Sequence, residues 1–215
     1  MTRTALDIAR EDAISWRGEG ERSLAASEEA FERQWSRLIH PFLKDHLDRI
    51  DFSCVLDLGA GRGRNCLKLV EFADRIIVSD VIPENVDYCK QRFEDKARFE
   101  YHYGDGATLS GIEDASVSFV YSFDSMTHFD PEVVLSYIKE FARVLRPGGF
   151  GFCHHSNYTG NPGGSFRDNP GWRNFMSREL FAHFLIRHGF VVVKQELVSW
   201  RAPELDCCSL FQLSS

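Results

Sequence analysis

The strongest constraint on this chain is one short stretch. The apolar run Cys54-Val55-Leu56-Asp57-Leu58 closes directly on Gly59-Ala60-Gly61-Arg62-Gly63. A continuous apolar run of this length is a buried strand, and three alternating glycines after it make a tight turn into a helix. Glycine accepts positive φ there and lets a ligand lie on the main chain where a Cβ would collide with it. A dinucleotide fingerprint wants its third glycine one place later, where this chain has Arg64, so a nicotinamide or flavin pyrophosphate fits poorly. A purely structural strand-to-helix connection would also use glycine.

Two further acids follow strand-like runs. Residues 75–80 read as a second buried strand ending in Asp80, about 20 positions after the glycine turn. In doubly wound sheets a carboxylate in that place accepts hydrogen bonds from both hydroxyls of a ribose; the plain alternative is a loop aspartate. Residues 98–103 read as a third strand, leading into Gly104-Asp105-Gly106-Ala107. A fourth, 116–121, runs into Ser122-Phe123-Asp124-Ser125-Met126-Thr127-His128-Phe129, and this loop is expected at the carboxyl edge where ligands bind.

Asp57-Leu58-Gly59-Ala60-Gly61-Arg62-Gly63 resembles the first motif of the class I methyltransferases that use S-adenosylmethionine, an acid followed by Gly-x-Gly-x-Gly. Arg143-Val144-Leu145-Arg146-Pro147-Gly148-Gly149-Phe150 is similar to that family's turn into its fifth strand. The resemblance covers roughly residues 50–213. It implies an α/β fold, a Rossmann-like doubly wound sheet of seven strands in the order 3-2-1-4-5-7-6 with the last strand antiparallel, and helices on both faces. It implies S-adenosylmethionine as cofactor and S-adenosylhomocysteine as product. Asp57, Gly59, Ala60, Gly61 and Gly63 would form the cofactor turn, Asp80 the ribose acceptor and Val81 the apolar wall of the adenine. Asp105 would accept from the adenine amino group, Gly106 or Ala107 would meet the ring nitrogen, and Phe123 would face the methyl group.

Residues 1–49 are expected as an N-terminal helical extension or lid, and 50–215 as the cofactor-binding domain with a cap loop at 157–176. In the extension, Gly18-Glu19-Gly20 looks like a break between helices. Ser27 reads as an N-cap for a helix carrying Phe31, Trp35, Leu38 and Phe42, which Pro41 ends or kinks. Trp35 is either ordinary core or a residue lying over the cofactor. Residues 65–73 should form a short helix with Leu67 and Val70 inward. Pro83, Asp130-Pro131 and Ser177 mark three further helix starts.

Net charge and cysteine placement narrow the partners. At a formal −7, with lysines and arginines scattered, the chain lacks the basic surface of a nucleic-acid binder. No apolar run approaches the roughly 20 residues of a membrane span, and no secretory pattern opens the chain, so a cytoplasmic protein with a small-molecule substrate is expected. Six cysteines without a Cys-x-x-Cys pair read as reduced, buried residues, and no metal is expected. A minor alternative is a metal held by Asp124 and Asp130.

Methyl transfer is in-line displacement at an activated carbon, so a hydroxyl acceptor needs alignment and removal of its proton. His154-His155 follow strand five and His128 follows strand four. Imidazole is poised to accept a proton near neutral pH, and neighbours on an extended exit alternate in direction, which makes His155 the expected base and His128 the runner-up. Equally open is that they hydrogen-bond the cap or Asp124. The cap loop with Phe166, Arg167, Trp172 and Arg173 is expected over the acceptor, contacted by His154, Asn157, Arg167 and Arg173. Stretches 154–157 and 169–177, and Trp200 with residues 206–211, look similar to methyltransferases of sugar and polysaccharide biosynthesis, which suggests a sugar hydroxyl. A protein that binds S-adenosylmethionine without catalysis, an N-methyltransferase of a small metabolite and a nucleotide-dependent oxidoreductase stay open.

Overall fold

The computed structural model describes residues 3–93, 97–200 and 202–215, with the side chains of 18–27 left aside. Helix α1, Ala5–Gln34, begins at a capping box in which the Asp7 N–H donates to Thr4 Oγ1 (3.2 Å) while the Thr4 N–H donates to Asp7 Oδ2 (3.0 Å). It runs without interruption past Gly18 and Gly20, against the expected break. Helix interiors tolerate a glycine at about 1 kcal/mol each, and this helix is held at both ends, by Ala9 in one core and Phe31 buried near its other end. Ser27 is therefore mid-helix, not a cap; its side chain lies outside the described residues. A π turn, Trp35–Ile39, then leads into α2, His40–Leu43, with Pro41 in its first turn. The π turn sits where Pro41 has no N–H to close the regular ladder.

Seven strands form one sheet: β1 Val55–Leu58, β2 Ile76–Asp80, β3 Phe99–Tyr103, β4 Val117–Ser122, β5 Leu145–Ser156, β6 Phe190–Val198 and β7 Asp206–Leu213. Their order is β3-β2-β1-β4-β5-β7-β6, and β7 is antiparallel to both neighbours, as expected. The strands β1 and β2 are buried along their whole length, which follows from helices covering both faces. Between them lie α3 Cys66–Leu69, α4 Pro83–Arg92, α5 Pro131–Val144 and α6 Arg178–Arg187. One face packs on α5, α6 and the first turns of α1, the other on α2, α3 and α4. Helix α3 is a single turn, shorter than expected, and buries Cys66 and Leu69 while Leu67 faces solvent. Chain order reverses between β1 and β4, so a crevice opens past their carboxyl ends. All six cysteines are buried and free. Among the described residues no helix is long and apolar enough to cross a membrane.

Candidate functional site

A cleft of about 980 Å³ lies at that crevice, bounded by the ends of β1, β2 and β4, by α1, and by the cap loop. Its floor is the glycine turn. Gly59 and Gly61 have φ of +67° and +57°, and a Cβ on Gly59 would fall 1.9 Å from Ser125 Oγ. The Gly59 and Ala60 N–H groups donate to the Ser79 carbonyl (2.8 and 3.1 Å), and the Gly61 N–H donates to Asp80 Oδ2 (2.8 Å). Asp80 Oδ1 accepts from the Ile82 N–H (2.9 Å) and from Asn85 Nδ2 (3.2 Å). Burial pushes the Asp80 carboxyl up, and these donors pull against it. Gly59, Ala60, Gly61, Asp80, Val81, Gly106 and Phe123 all line the cleft.

Other residues expected at the cofactor lie elsewhere. Gly63 is a packing glycine: a Cβ there would meet the Phe93 ring at 2.7 Å. Asp57 is fully buried beneath the turn, where Oδ2 accepts from Cys66 Sγ (3.2 Å) and Oδ1 has no protein donor; burial lifts its carboxyl to about 7. Asp105 is turned onto its own loop, accepting from the Ala107 N–H (2.8 Å), the Thr108 N–H (2.6 Å) and Thr108 Oγ1 (2.7 Å), and it lines a neighbouring groove with Arg10 and Ala13. Ala107 is core. Trp35 packs on Phe31 and Phe72, away from the cleft. The tryptophan of α1 that lines the cleft is Trp16, nineteen positions before Trp35.

The structure does not bring the expected base to the cleft. His155 is fully buried on the other face of the sheet, stacked on Phe181 at 3.8 Å, with Nδ1 bonded to the Ser156 carbonyl and Nε2 to Ser209 Oγ (both 2.8 Å). Burial holds it down to about 3. Alternation along β5 was the right rule, with the wrong member chosen, because it is His154 that points toward the cleft. Yet His154 stops short of it, buried between Phe123 and Trp200. Its Nδ1 accepts from the Asp124 N–H (3.3 Å), which leaves Nε2 to carry the proton, 3.4 Å from Asp206 Oδ2. Asn157 is structural: its side chain donates to the Glu204 carbonyl and accepts from the Arg178 N–H.

His128 does line the cleft. Its Nδ1 sits 2.7 Å from the Trp172 carbonyl, which can only accept, so Nδ1 carries the hydrogen and Nε2 keeps a lone pair. Trp16 lies against the ring at 4.4 Å. Burial, with Arg173 nearby, holds His128 down to about 4, so it is neutral at pH 7.

The cap loop is ordered by two 3₁₀ turns, Phe166–Asp168 and Pro170–Trp172. Arg167 and Arg173 both line the cleft. Arg173 is buried and grips Asp206 with two parallel bonds of 2.7 Å, a geometry that fixes a guanidinium strongly. Trp172 and Phe166 then meet Trp16 at 5.2 and 6.3 Å, joining cap to α1. Across the cleft Arg64 donates to Asp124 Oδ2 and to Gln34 Oε1 of α1 (both 2.8 Å). Asp124 itself has φ of +62°, unusual for a residue with a Cβ and common where structure is held for function. Ala9, Asp12, Ala13, Trp16 and Trp200 complete the walls and were not foreseen. Thr4 to Asp7 and the four-residue spacing of Ala5, Ala9 and Ala13, with Trp16 next on that face, were the available signals.

Residues 55–149 match the family model described as a methyltransferase domain. The methyltransferase nsrG of Aspergillus novofumigatus is 30% identical over 97 residues, covering 45% of this chain and 36% of that protein. The matched segment spans about a third of the length of the curated relatives. A putative methyltransferase of Haloferax volcanii, solved with the Trm112 activator, aligns with a TM-score of 0.64 at 19% identity over 89% of this chain and 96% of that one. Geranyl diphosphate C-methyltransferase of Streptomyces coelicolor, solved with Mg2+, geranyl-S-thiolodiphosphate and S-adenosyl-L-homocysteine, aligns with a TM-score of 0.66 at 13% identity over 81% and 74% of the two chains. At these identities the solved structures establish a shared fold.

Proposed function

We propose that this chain, whose residues 55–149 match a methyltransferase-domain model, binds S-adenosylmethionine and transfers its methyl group to a hydroxyl of a small molecule. One observation carries the reading: a single cleft runs continuously from the glycine turn and Asp80 to the lone pair of His128. Gly59, Gly61 and Gly106 take positive φ and line the cleft with bare main chain, and Asp80 presents a carboxylate suited to a ribose diol. Val81 and Ile82 offer the apolar surface an adenine needs. The bound sulfonium supplies an activated methyl carbon.

The chain's own residues do the rest. Trp16, Trp172 and the Arg173–Asp206 pair close the cleft over the acceptor and keep water out. His128 Nε2 accepts the hydroxyl proton, while the Trp172 carbonyl holds the ring in the tautomer that can do so. A sugar hydroxyl is the acceptor that the sequence resemblance suggests. Lid behaviour belongs to α1, with Ala9 seated on Gly106 and Ala13 beside it. Hydrogen exchange should show residues 5–17 more protected with S-adenosylhomocysteine than without it; equal protection would leave α1 a fixed wall. The function itself is tested by mass spectrometry after incubation with isotopically labelled methyl donor and pooled small hydroxylated molecules. A labelled methyl ether supports it, and cofactor binding without transfer to any acceptor makes the protein a non-catalytic binder.

A further inference from the structure

Resting on that reading, we infer that the acceptor is the phenolic hydroxyl of a flat, uncharged aromatic molecule, not a nucleotide-linked or free sugar. The acceptor end of the cleft brings three indoles from three separate elements: Trp16 from α1, Trp172 from the cap and Trp200 from the β6–β7 connection. With Phe123 and Phe129 they give it broad apolar faces of the kind that bind planar rings.

Its polar groups are mostly spent on one another. Arg173 is closed onto Asp206, and Arg64 onto Asp124 and Gln34. Arg17 pairs with Glu84. Asn169 accepts from Asn161 (2.8 Å) and donates to the Arg173 carbonyl (2.7 Å). A diphosphate needs a cluster of donors committed to it, and a sugar needs a partner for each of several hydroxyls, because those left unmatched lose their water without replacement. Among the described residues, the charged or basic groups that the acceptor end keeps for a ligand are His128 Nε2, the Asp12 carboxyl, and Arg167 at the rim, near enough to Asp12 to bear on its charge, while Ser125 Oγ and the indole N–H groups add neutral donors. That set, a single basic atom between indole faces and no cluster of uncommitted cations among the described residues, suits an uncharged planar molecule with one reacting hydroxyl.

The balance of the step agrees. The phenolic oxygen forms the bond to the methyl carbon as the sulfonium carbon–sulfur bond breaks, and the electron pair leaves on the thioether sulfur. The proton goes to His128 Nε2. Held down to about 4, His128 is a weak base, and a phenol with a pKa of about 10 surrenders its proton to it far more readily than an aliphatic alcohol does.

Calorimetry on the whole chain, saturated with S-adenosylhomocysteine, should show 2-naphthol binding at least about tenfold more tightly than UDP-glucose or methyl glucoside, a preference of about 1.4 kcal/mol. With S-adenosylmethionine, naphthyl methyl ether should accumulate. The Trp16→Ala protein, checked for folding by its retained S-adenosylhomocysteine affinity, should lose the naphthol preference. Transfer to the sugars in place of naphthol, or no naphthol binding by a protein that binds S-adenosylhomocysteine, overturns the inference while leaving the methyltransferase reading in place. Failure to bind S-adenosylhomocysteine at all overturns both.

Discussion

The two ends of the cleft are built in opposite ways. The cofactor end is made of main chain: Gly59, Ala60 and Gly61 are fixed by N–H groups bonded to Ser79 and Asp80, all within residues 58–82 of two neighbouring parallel strands. The acceptor end is made of side chains drawn from α1, the loop after β4, the cap and the β6–β7 connection. Main-chain geometry leaves little freedom and recurs wherever the same turn recurs. Side-chain walls from distant segments can be exchanged without disturbing the sheet, which is how one fold serves many acceptors. In the proposed function the first end sets the reaction class and the second selects what reacts.

The largest effect that separates the two ends is expected at Asp206. It supports only the acceptor end, through the bidentate Arg173 pair. Asp206→Ala strands a buried guanidinium, which should cost roughly 3–5 kcal/mol of stability in chemical denaturation and displace the cap. Asp206→Ala with unchanged stability would mean the cap is held by its aromatic contacts alone. Next comes His128→Gln, expected to lose about 10²- to 10⁴-fold in turnover on a hydroxyl acceptor, with His155→Gln close to the parent in turnover. If His155→Gln alone loses activity, the proton route runs through the far face of the sheet and the comparison fails.

These expectations differ from what the sequence offered, and the reasons are local. The glycine turn, Asp80, and the order of strands and helices from 54 to 150 were legible because each is written in contiguous residues: an apolar run, a breaker, a cap. The acceptor end was not, because no periodicity tells which distant segments meet. Alternation along β5 correctly put His154 and His155 on opposite faces, but which face held the cleft depended on where Trp200 and Phe181 came to rest. Trp35 sat on a clean amphipathic stripe and packs on Phe31 and Phe72, whereas Trp16 stood in a polar stretch beside two glycines and reaches the cleft because the first turns of α1 are anchored on the core through Ala5 and Ala9. Asp105 had the expected position, but its carboxylate accepts from two N–H groups and a hydroxyl of its own turn and lines the neighbouring groove.

A smaller effect sharpens the cofactor end. Burial lifts the Asp57 carboxyl to about 7, against about 3.9 for an unfolded aspartate. Between those values the folded state holds a proton that the unfolded state has lost, so this group's contribution to stability falls as pH rises through the window and stays low above it. Asp57→Asn keeps an acceptor for Cys66 Sγ and removes the ionisation. Its melting temperature should match the parent near pH 4 and exceed it by several degrees at pH 8. An advantage that is the same at both pH values would place the effect in packing.

The division of the cleft is tested most directly by calorimetric titration of S-adenosylhomocysteine into three folded proteins: the parent, Asp80→Ala and His128→Gln. The account predicts binding to the parent, a loss of roughly 10- to 150-fold for Asp80→Ala, the range for hydrogen bonds to a charged group, and an unchanged affinity for His128→Gln. Equal affinities for the parent and Asp80→Ala, or a loss confined to His128→Gln, would contradict it.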